Sequence, residues 1–307
     1  MSAHWSSIQE NTAVLGIRIL YCIHQLTGRR VFQIALFPVV ACYWLALPRV
    51  RRVSRDYLRH LHAAYPECPA PSAANSLRHV FRFADTILDK LLAAAGHFSK
   101  EDLEVTGAEE LNADPRGVIL VTAHTGCTEA GRALLGHFTG RRVRILTHTQ
   151  HARTFNTILE RLHPGFNDAC MQVGDITPAA ALALKDSIDR GDFIVIAGDR
   201  TPIHSMAEQP VPFLGEDALL PTGAYILGTI LQAPVWTMIC TRSSDGHARY
   251  RFAFEKLWEP HPVKRSQRAE LFGRIARAYA GALARTLREC PYDWFNFFDF
   301  WDKEQKK

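Results

Sequence analysis

The chain has 307 residues and 47% of them are hydrophobic, which is enough to bury one large core or two modest ones and argues against a disordered protein. The net charge of +5 favours an acidic partner or an anionic surface without requiring nucleic acid, so we expect no nucleic-acid partner. The seven cysteines form no CxxC pair and leave an odd one over, which argues against a disulfide framework or a zinc ribbon and favours a reducing compartment.

The first fifty residues alternate between apolar and basic segments. The second apolar run, VFQIALFPVVACYWLALP (31–48), follows Arg29 and Arg30 and would be roughly 27 Å long as a helix, which is borderline for crossing a bilayer. Two crossings would place these arginines on the far side of the membrane, so we predict a single span or an interfacial hairpin. A helical layer docked on the soluble core is the alternative. The arginines expected to meet anionic headgroups are Arg49, Arg51, Arg52, Arg55 and Arg59.

A stretch rich in Pro, Ala and Ser, AYPECPAPSAANS (64–76), is typical of a connector. It divides the sequence into an N-terminal membrane-associated helical region (1–63), the connector (64–76) and a main domain (77–307).

The main domain begins with two predicted helical stretches around 76–97 and then alternates between strands and helices. Apolar runs predict strands at 117–122, 142–147, 170–174, 192–199, 233–240 and 248–257. Helices are expected from about 128, from about 152, from Pro178 behind Thr177 as N-cap, from Thr222, and over 264–289. The segment 200–221 is polar and contains prolines, which predicts a loop. This order indicates an α/β fold, in which a sheet is flanked by helices.

A polar cluster directly follows the first strand of this alternation. His124 comes first, Gly126 allows a tight turn, and Glu129 falls in the expected first turn of the next helix. Within one helix a spacing of five residues places side chains about 140° apart, so the pair meets only across such a turn. A carboxylate there can accept the imidazole Nδ1–H and leave Nε2 as a general base. The alternative is an ordinary loop histidine beside a helix-start carboxylate.

Two other kinds of chemistry are open at the same place. Cys127 can act as a thiolate nucleophile with His124 as its base, although three residues in one tight turn leave little room for that geometry. His148 and His151 can join them in a metal site, but no HExxH or paired-cysteine signature accompanies this HxxH pair. We therefore predict no metal and no cofactor.

Polar residues also follow two later strands. Asp199 and Arg200 come after FIVIAG, where an arginine can hold phosphate or stabilise an oxyanion and the aspartate can orient it. A local ion pair in a strand-ending turn is the alternative. Arg153 and Asn156 open the helix expected after RVRILT. Because ligands of α/β sheets bind at the carboxyl ends of strands, these residues and His124 are expected to converge on one edge.

Four blocks follow one another along the chain in a fixed order. They are AHTGCTEAG (123–131), ARTFNTIL (152–159), ALKDSIDRGDFIVIAGDRTP (183–202) and VPFLGEDALLPTGAYILGTILQAPVW (211–236). The first is similar to the block of His, four residues and an acid in the lysophospholipid acyltransferase superfamily, in the form found in late (lauroyl or myristoyl) acyltransferases of lipid A biosynthesis. The other three match that family's later blocks. With the apolar and Arg-rich N-terminus, the resemblance covers nearly the whole chain.

The resemblance implies a glycerol-3-phosphate acyltransferase-like fold, which is a mixed sheet flanked by helices, with 77–307 as the acyltransferase domain. It implies transfer of an acyl group from acyl carrier protein or acyl-CoA to a hydroxyl of a membrane lipid acceptor, at the cytoplasmic face of the cell inner membrane. His124 and Glu129 are then the catalytic pair. The expected substrate-binding residues are Arg153, Asn156, Asp199, Arg200 and Thr222.

The C-terminal segment PYDWFNFFDFW (291–301) departs from the family pattern. The lipid A enzymes carry a Trp followed shortly by two basic residues, whereas this chain keeps Trp294 and has aromatic residues and Asp299 in place of the basic pair. The aromatic ending resembles acyltransferases of aryl-polyene pathways, and it also suits simple packing. Two other classes stay open, namely an acyl-thioester hydrolase that uses water or Cys127 and a non-catalytic membrane-surface binding protein.

Overall fold

The predicted alternation of strands and helices forms one seven-stranded sheet in a computed structural model of the protein. The structure describes residues 14–131, 140–147, 160, 170–172, 178–200, 208–243 and 248–301. The expected N-cap Thr177 and the helix expected from about 152 lie outside these ranges. The strands are β1 (Leu103–Thr106), β2 (Val118–Thr122), β3 (Val143–Thr147), β4 (Cys170–Gln172), β5 (Phe193–Ala197), β6 (Glu208–Phe213), β7 (Glu216–Pro221), β8 (Val235–Arg242) and β9 (Tyr250–Trp258).

Helices cover both faces of this sheet. In the described ranges they are α1 (Val14–Thr27), α2 (Arg29–Ala46), α3 (Pro48–Ala64), α4 (Ala73–Ala94), α5 (Ala108–Ala113), α6 (Pro178–Asp189), α7 (Gly223–Leu231) and α8 (Arg268–Glu289). The sheet order is β1-β9-β8-β2-β5-β3-β4, and every neighbouring pair is parallel except β8 and β9. The prediction of a mixed α/β sheet flanked by helices is confirmed.

The run GVILVT contains β2, and the central position of this strand in the sheet explains why apolar and polar residues do not alternate along it. Ile119 and Val121 pack into the core on one face of the sheet, while Val118 and Leu120 pack into the core on the other. Every residue of β2 is buried, because helices lie on both faces of this part of the sheet. The strand therefore ends inside the molecule, and the residues that follow it emerge at the carboxyl edge.

Two sequence predictions of local structure are wrong. The segment 76–97 contains one helix, α4, because its residues include neither proline nor glycine before Gly96 and Ser72 caps its start through the amide of Asn75. The predicted loop 200–221 contains the antiparallel hairpin β6–β7. Its prolines suggested a loop, but Val211 and Phe213 alternate with exposed residues and fill the core below the hairpin.

The N-terminal helices pack on the main domain. Among the described residues, α2 has the length and composition to cross a membrane. Its residues Phe32, Leu36 and Val40 are nevertheless buried, in the core that contains Val118 and Leu120 of β2. The helix α3 ends at Ala64 and contributes to the opposite core. The division into 1–63, 64–76 and 77–307 stays a prediction, whereas the docked helical layer considered for the N-terminus is what the structure contains.

A buried ion-pair network fixes α2 to the main domain. Asp85 and Asp89 lie one turn apart on α4 and have almost no exposed side-chain surface. The guanidinium of Arg29 binds both carboxylates, and that of Arg242, at the end of β8, binds both from the other side. Tyr250 donates its hydroxyl to Asp89 at 2.7 Å. Each buried charge is therefore matched by opposite charge and hydrogen bonds, as burial requires.

Breaking this network is expected to destabilise the protein strongly. The variant Asp89→Asn leaves Arg29 and Arg242 with one buried anion between them, and losing one partner of such a group costs about 3 kcal/mol or more. The control is Lys185→Ala, because Lys185 and Asp189 form an exposed pair on α6; such a pair contributes about 0.5 kcal/mol or less. Urea unfolding measures both variants, and equal losses would show that the network contributes no more than a surface pair.

Candidate active site

The register of two neighbouring strands brings His124 and Asp199 together. Thr122 at the end of β2 pairs with Ala197 at the end of β5, and the amide of Gly198 donates to the carbonyl of Thr122 at 2.8 Å. His124 and Asp199 each lie two residues beyond this last pair, at the same carboxyl edge. The predicted convergence of polar residues at this edge is therefore confirmed for His124 and Asp199.

The carboxylate of Asp199 holds His124 at two points. Its Oδ1 accepts the Nδ1–H of the imidazole at 2.7 Å, and its Oδ2 accepts the backbone amide of His124 at 2.8 Å. Asp199 is fully buried, while the side chain of His124 is 35% exposed. Because an ionised carboxylate only accepts hydrogen bonds, it selects the tautomer with the proton on Nδ1. The lone pair of Nε2 is then available to take a proton.

Electrostatics keep the imidazole neutral and the carboxylate charged. Burial and then the positive charge of Arg200 lower the pKa of His124 below its ordinary value of 6.5, against the opposing effect of Asp199. Burial alone would raise the pKa of Asp199, but His124, Arg200 and the hydrogen bonds together lower it to about 2. Near neutral pH the pair is therefore a neutral base beside an anion, which is the state that general-base catalysis needs.

The prediction that Glu129 accepts a hydrogen bond from His124 is wrong. Residues 128–131 are helical, as predicted, but from this first turn Glu129 binds the ammonium of Lys90 on α4 at 3.0 Å. The Nδ1 position is occupied by Asp199, which was expected to orient Arg200 instead. The physical reason is the sheet order: β5 lies directly beside β2, so a residue 75 positions away reaches the imidazole.

Gly126 is required by the turn that carries His124. Its φ of +48° is a left-handed conformation that side chains disfavour, and a Cβ there would lie 2.7 Å from the carbonyl oxygen of Cys240. The sequence prediction of a tight glycine turn is confirmed.

The C-terminal segment 293–296 pairs with this turn. The carbonyl of Asp293 accepts the amide of Gly126 at 3.1 Å, and the amide of Phe295 donates to the carbonyl of His124 at 2.8 Å. The indole N–H of Trp294 donates to Oδ2 of Asp199 at 2.9 Å. The sequence of this segment has no helical or strand periodicity, so it does not predict this role at the site, and only the resemblance draws attention to Trp294.

Arg200 is held by the same segment. Its guanidinium donates to the side-chain oxygen of Asn296 and to the carbonyl of Phe295, both at 2.9 Å. The side-chain Nδ2 of Asn296 in turn donates to the backbone carbonyl of Asp199 at 3.2 Å. Arg200 is thus fixed close enough to His124 for its charge to lower the pKa of the imidazole.

The other predicted site residues are placed differently or lie outside the described ranges. Thr222 is buried at the start of α7, where its carbonyl accepts the amides of Tyr225 and Ile226. Arg153, Asn156, His148 and His151 lie outside the described residues. In the part of the chain that the structure describes, no group of three or more His, Cys, Asp or Glu side chains is arranged to hold a metal ion.

Cys127 is poorly suited to act as a nucleophile. It has no exposed surface, and burial together with the charge of Glu129 raises the pKa of its thiol well above the ordinary value. The thiol lies 4.0 Å from a carboxylate oxygen of Glu129. Since the thiolate is the reactive form, this position does not activate the sulfur.

The fold and the site together define a mixed α/β enzyme with a carboxylate-bound histidine at the carboxyl edge of its sheet. The family model for bacterial lipid A biosynthesis acyltransferases matches residues 15–303. The chain belongs to this family and is an acyltransferase. Comparison with curated proteins gives no match.

The environment of Cys127 predicts slow alkylation in the folded protein. Cys22 and Cys42 are exposed on α1 and α2 and should react with iodoacetamide at pH 8 within minutes, whereas Cys127 should react only on unfolding. Peptide mass spectrometry after timed quenching measures each rate. Labelling of Cys127 as fast as Cys42 would contradict its burial and restore it as a candidate nucleophile.

Proposed function

We propose that the chain is a membrane-associated O-acyltransferase that moves a fatty acyl group to a hydroxyl of a lipid or glycolipid acceptor. The donor is acyl carrier protein or another acyl thioester such as acyl-CoA. Membership of the lipid A acyltransferase family supports acyl transfer. The observation that carries the choice of base is the 2.7 Å hydrogen bond between His124 and the buried carboxylate of Asp199.

In the proposed reaction the Nε2 of His124 removes the proton from the acceptor hydroxyl as its oxygen attacks the thioester carbonyl. The imidazolium that forms is stabilised by Asp199, through the Nδ1–H that it already donates. The tetrahedral intermediate then expels the donor thiolate, and this thiolate takes the acceptor's proton from Nε2. Ester formation and thioester cleavage balance without a covalent enzyme intermediate, so no protein nucleophile is required.

The positive charges near His124 suit the developing oxyanion. Arg200 is fixed by Asn296 and Phe295, and its charge acts on the imidazole. A preorganised cation stabilises negative charge that develops on the carbonyl oxygen. Lys90, which Glu129 holds, also acts on His124. Glu129, predicted as catalytic, then acts as a positioning residue for this lysine, while Arg153, Asn156 and Thr222 stay proposed substrate contacts.

The exposed face of α2 supports attachment to the membrane surface. Opposite its buried stripe, the helix exposes apolar side chains, of which Ile34 is 73% and Leu45 65% exposed. Because Arg29 is bound to buried carboxylates and Phe32 packs in the core, α2 lies along the protein and offers only one face to lipid. We therefore favour an interfacial helix over a span, at the cytoplasmic face of the inner membrane.

The arginines of α3 add to this surface less than the sequence suggested. Arg49 and Arg52 bind Asp299, and Arg59 binds Asp56. Arg51 donates to backbone carbonyls at the end of α2. Arg55 is exposed. Some positive charge thus remains for anionic headgroups.

Substitutions at the site should separate the base from its orienting group. We expect His124→Ala to lower kcat/KM by about 10²–10⁴-fold, since it removes the base. The wild-type rate should rise with pH through a pKa below 6.5, because the neutral imidazole is the active form. Asp199→Asn should lower the rate by about 100-fold or more and move this acid limb to lower pH, since the imidazolium loses its anion.

Glu129→Gln is the matched control for Asp199→Asn. It should lower the rate and move the acid limb less than Asp199→Asn does, because Glu129 binds Lys90 and acts on the imidazole only through that lysine. The assay combines purified protein, acyl carrier thioester and a membrane lipid extract, and follows carrier thiol release and the acylated lipid. Full activity of His124→Ala would exclude the proposed base. Thiol release without any acceptor would indicate a hydrolase, and no turnover with any acceptor would indicate a binding protein.

Membrane attachment is tested by sedimentation with phosphatidylglycerol and phosphatidylcholine vesicles. Ile34→Asp should weaken binding to both by about tenfold or more, since a side chain worth about 1.5–3 kcal/mol on burial is replaced by a charge. Leu182→Asp on α6 is the control, because Leu182 is 67% exposed. Anionic vesicles should bind more tightly and be weakened by salt. Equal losses for the two variants would show that α2 is not the attachment surface.

A further inference from the structure

Trp294 is the one aromatic side chain of the described segment 291–301 that touches the His–Asp pair through a polar atom. Its indole N–H lies 2.9 Å from Oδ2 of Asp199, and its ring is 1% exposed. The other described donor to the same oxygen is the backbone amide of His124 at 2.8 Å. Oδ1 is thereby left to the imidazole.

The surroundings of the indole fix its orientation. Its ring packs edge-on against Tyr57, Phe213 and Phe300, with ring centroids 4.9–5.5 Å apart. Its backbone forms an isolated antiparallel bridge with Thr125, next to His124. The indole cannot turn away from Asp199 without breaking this packing, so the carboxylate meets a donor whose position is set in advance.

Taking His124 as the base, as the proposed function does, we infer that Trp294 is a positioning residue for the reaction. Its N–H fixes the plane of the Asp199 carboxylate and shares the negative charge on Oδ2. This holds the imidazole with Nε2 toward the acceptor and limits how strongly the carboxylate stabilises the imidazolium.

The removal of this N–H has a defined electrostatic consequence. Asp199 stays ionised, because its pKa of about 2 lies far below neutral pH. With one donor fewer, more of its negative charge acts on the Nδ1–H, so the imidazolium is stabilised and the pKa of His124 rises. The other charged groups that act on His124 are Arg200, which donates to Asn296 and to the carbonyl of Phe295, and Lys90, which donates to Glu129.

The chain offers a matched control in Trp301. It lies in the same aromatic cluster, with its ring centroid 6.1 Å from that of Trp294, and it is 7% exposed. Its indole N–H donates to the carbonyl of Phe213 at 3.3 Å, so it does not serve Asp199. The change from Trp to Phe removes the same atoms at both positions.

The experiment compares Trp294→Phe with Trp301→Phe in the acyl carrier thioester assay and in an NMR titration of the His124 imidazole. The His124 signal is assigned by its absence from the spectrum of His124→Ala. We expect Trp294→Phe to lower kcat by about tenfold or more with KM within about twofold. The pKa of His124 should rise by about half a unit or more. Trp301→Phe should leave both quantities near wild type.

A second variant removes the donor without leaving a cavity. Benzothienylalanine at position 294 keeps the size of the indole and replaces its N–H by sulfur, so it remains usable where Trp294→Phe fails to fold. It should reproduce the loss of kcat and the shift of the His124 titration. Wild-type values for this variant, or equal effects of Trp301→Phe and Trp294→Phe, would overturn the inference.

The outcome is distinguishable from failure of the proposed function. Full activity of His124→Ala would exclude His124 as the base, whereas the NMR titration would still report whether Trp294 acts on the imidazole. Loss of activity in His124→Ala with an unchanged titration in both Trp294 variants would keep the base and exclude the positioning role.

Discussion

The buried carboxylate of Asp199 is the constraint on which the site depends. An ionised group without solvent must be compensated by donors, and these come from two distant parts of the chain. His124, which follows β2, supplies its ring and its amide, and Trp294 supplies its indole from the C-terminal segment. Asp199 therefore has its full set of hydrogen-bond donors only when the sheet and the C-terminal segment are assembled. The geometry of the His124–Asp199 pair is a product of the whole fold rather than of the loop that carries the histidine.

A second pair of buried carboxylates, on α4, connects the N-terminal helices to the sheet in the same way. Asp85 and Asp89 bind Arg29 on α2 and Arg242 at the end of β8. The backbone amide of Arg242 also donates to Asp293, whose carbonyl accepts the amide of Gly126. The helix proposed to lie on the membrane and the turn that carries His124 are thus fixed to the same strand end. This shared support places the site at a constant position relative to the exposed apolar face of α2.

The part of the site that the sequence predicted was the part set by local rules. The apolar run before His124, the glycine turn and the helix at 128 all follow from residues close in sequence, and the structure has them. The partner of the imidazole was misassigned because spacing favours the near carboxylate, Glu129, whereas the true neighbour depends on strand order. The stretch between β2 and β5 contains the strands β3 and β4, and nothing in its sequence indicates that β2 and β5 are adjacent. Trp294 was unassigned for a related reason, since an aperiodic segment gives no indication of what it packs against.

The aromatic C-terminal segment also bears on the acceptor. Asp299 binds Arg49 and Arg52, and Trp301 stacks on His60 with ring centroids 3.9 Å apart. The segment therefore uses its side chains to tie α3 to the hairpin and neutralises two arginines rather than offering cations of its own. A phosphorylated acceptor would then need positive charge from elsewhere. Arg200 and Lys90, whose charges both act on His124, are two described cations at this edge, and in the proposed reaction they also stabilise the oxyanion. If these two cations also bound an anionic group of the proposed acceptor, that group would compete with the developing oxyanion for the same positive charge.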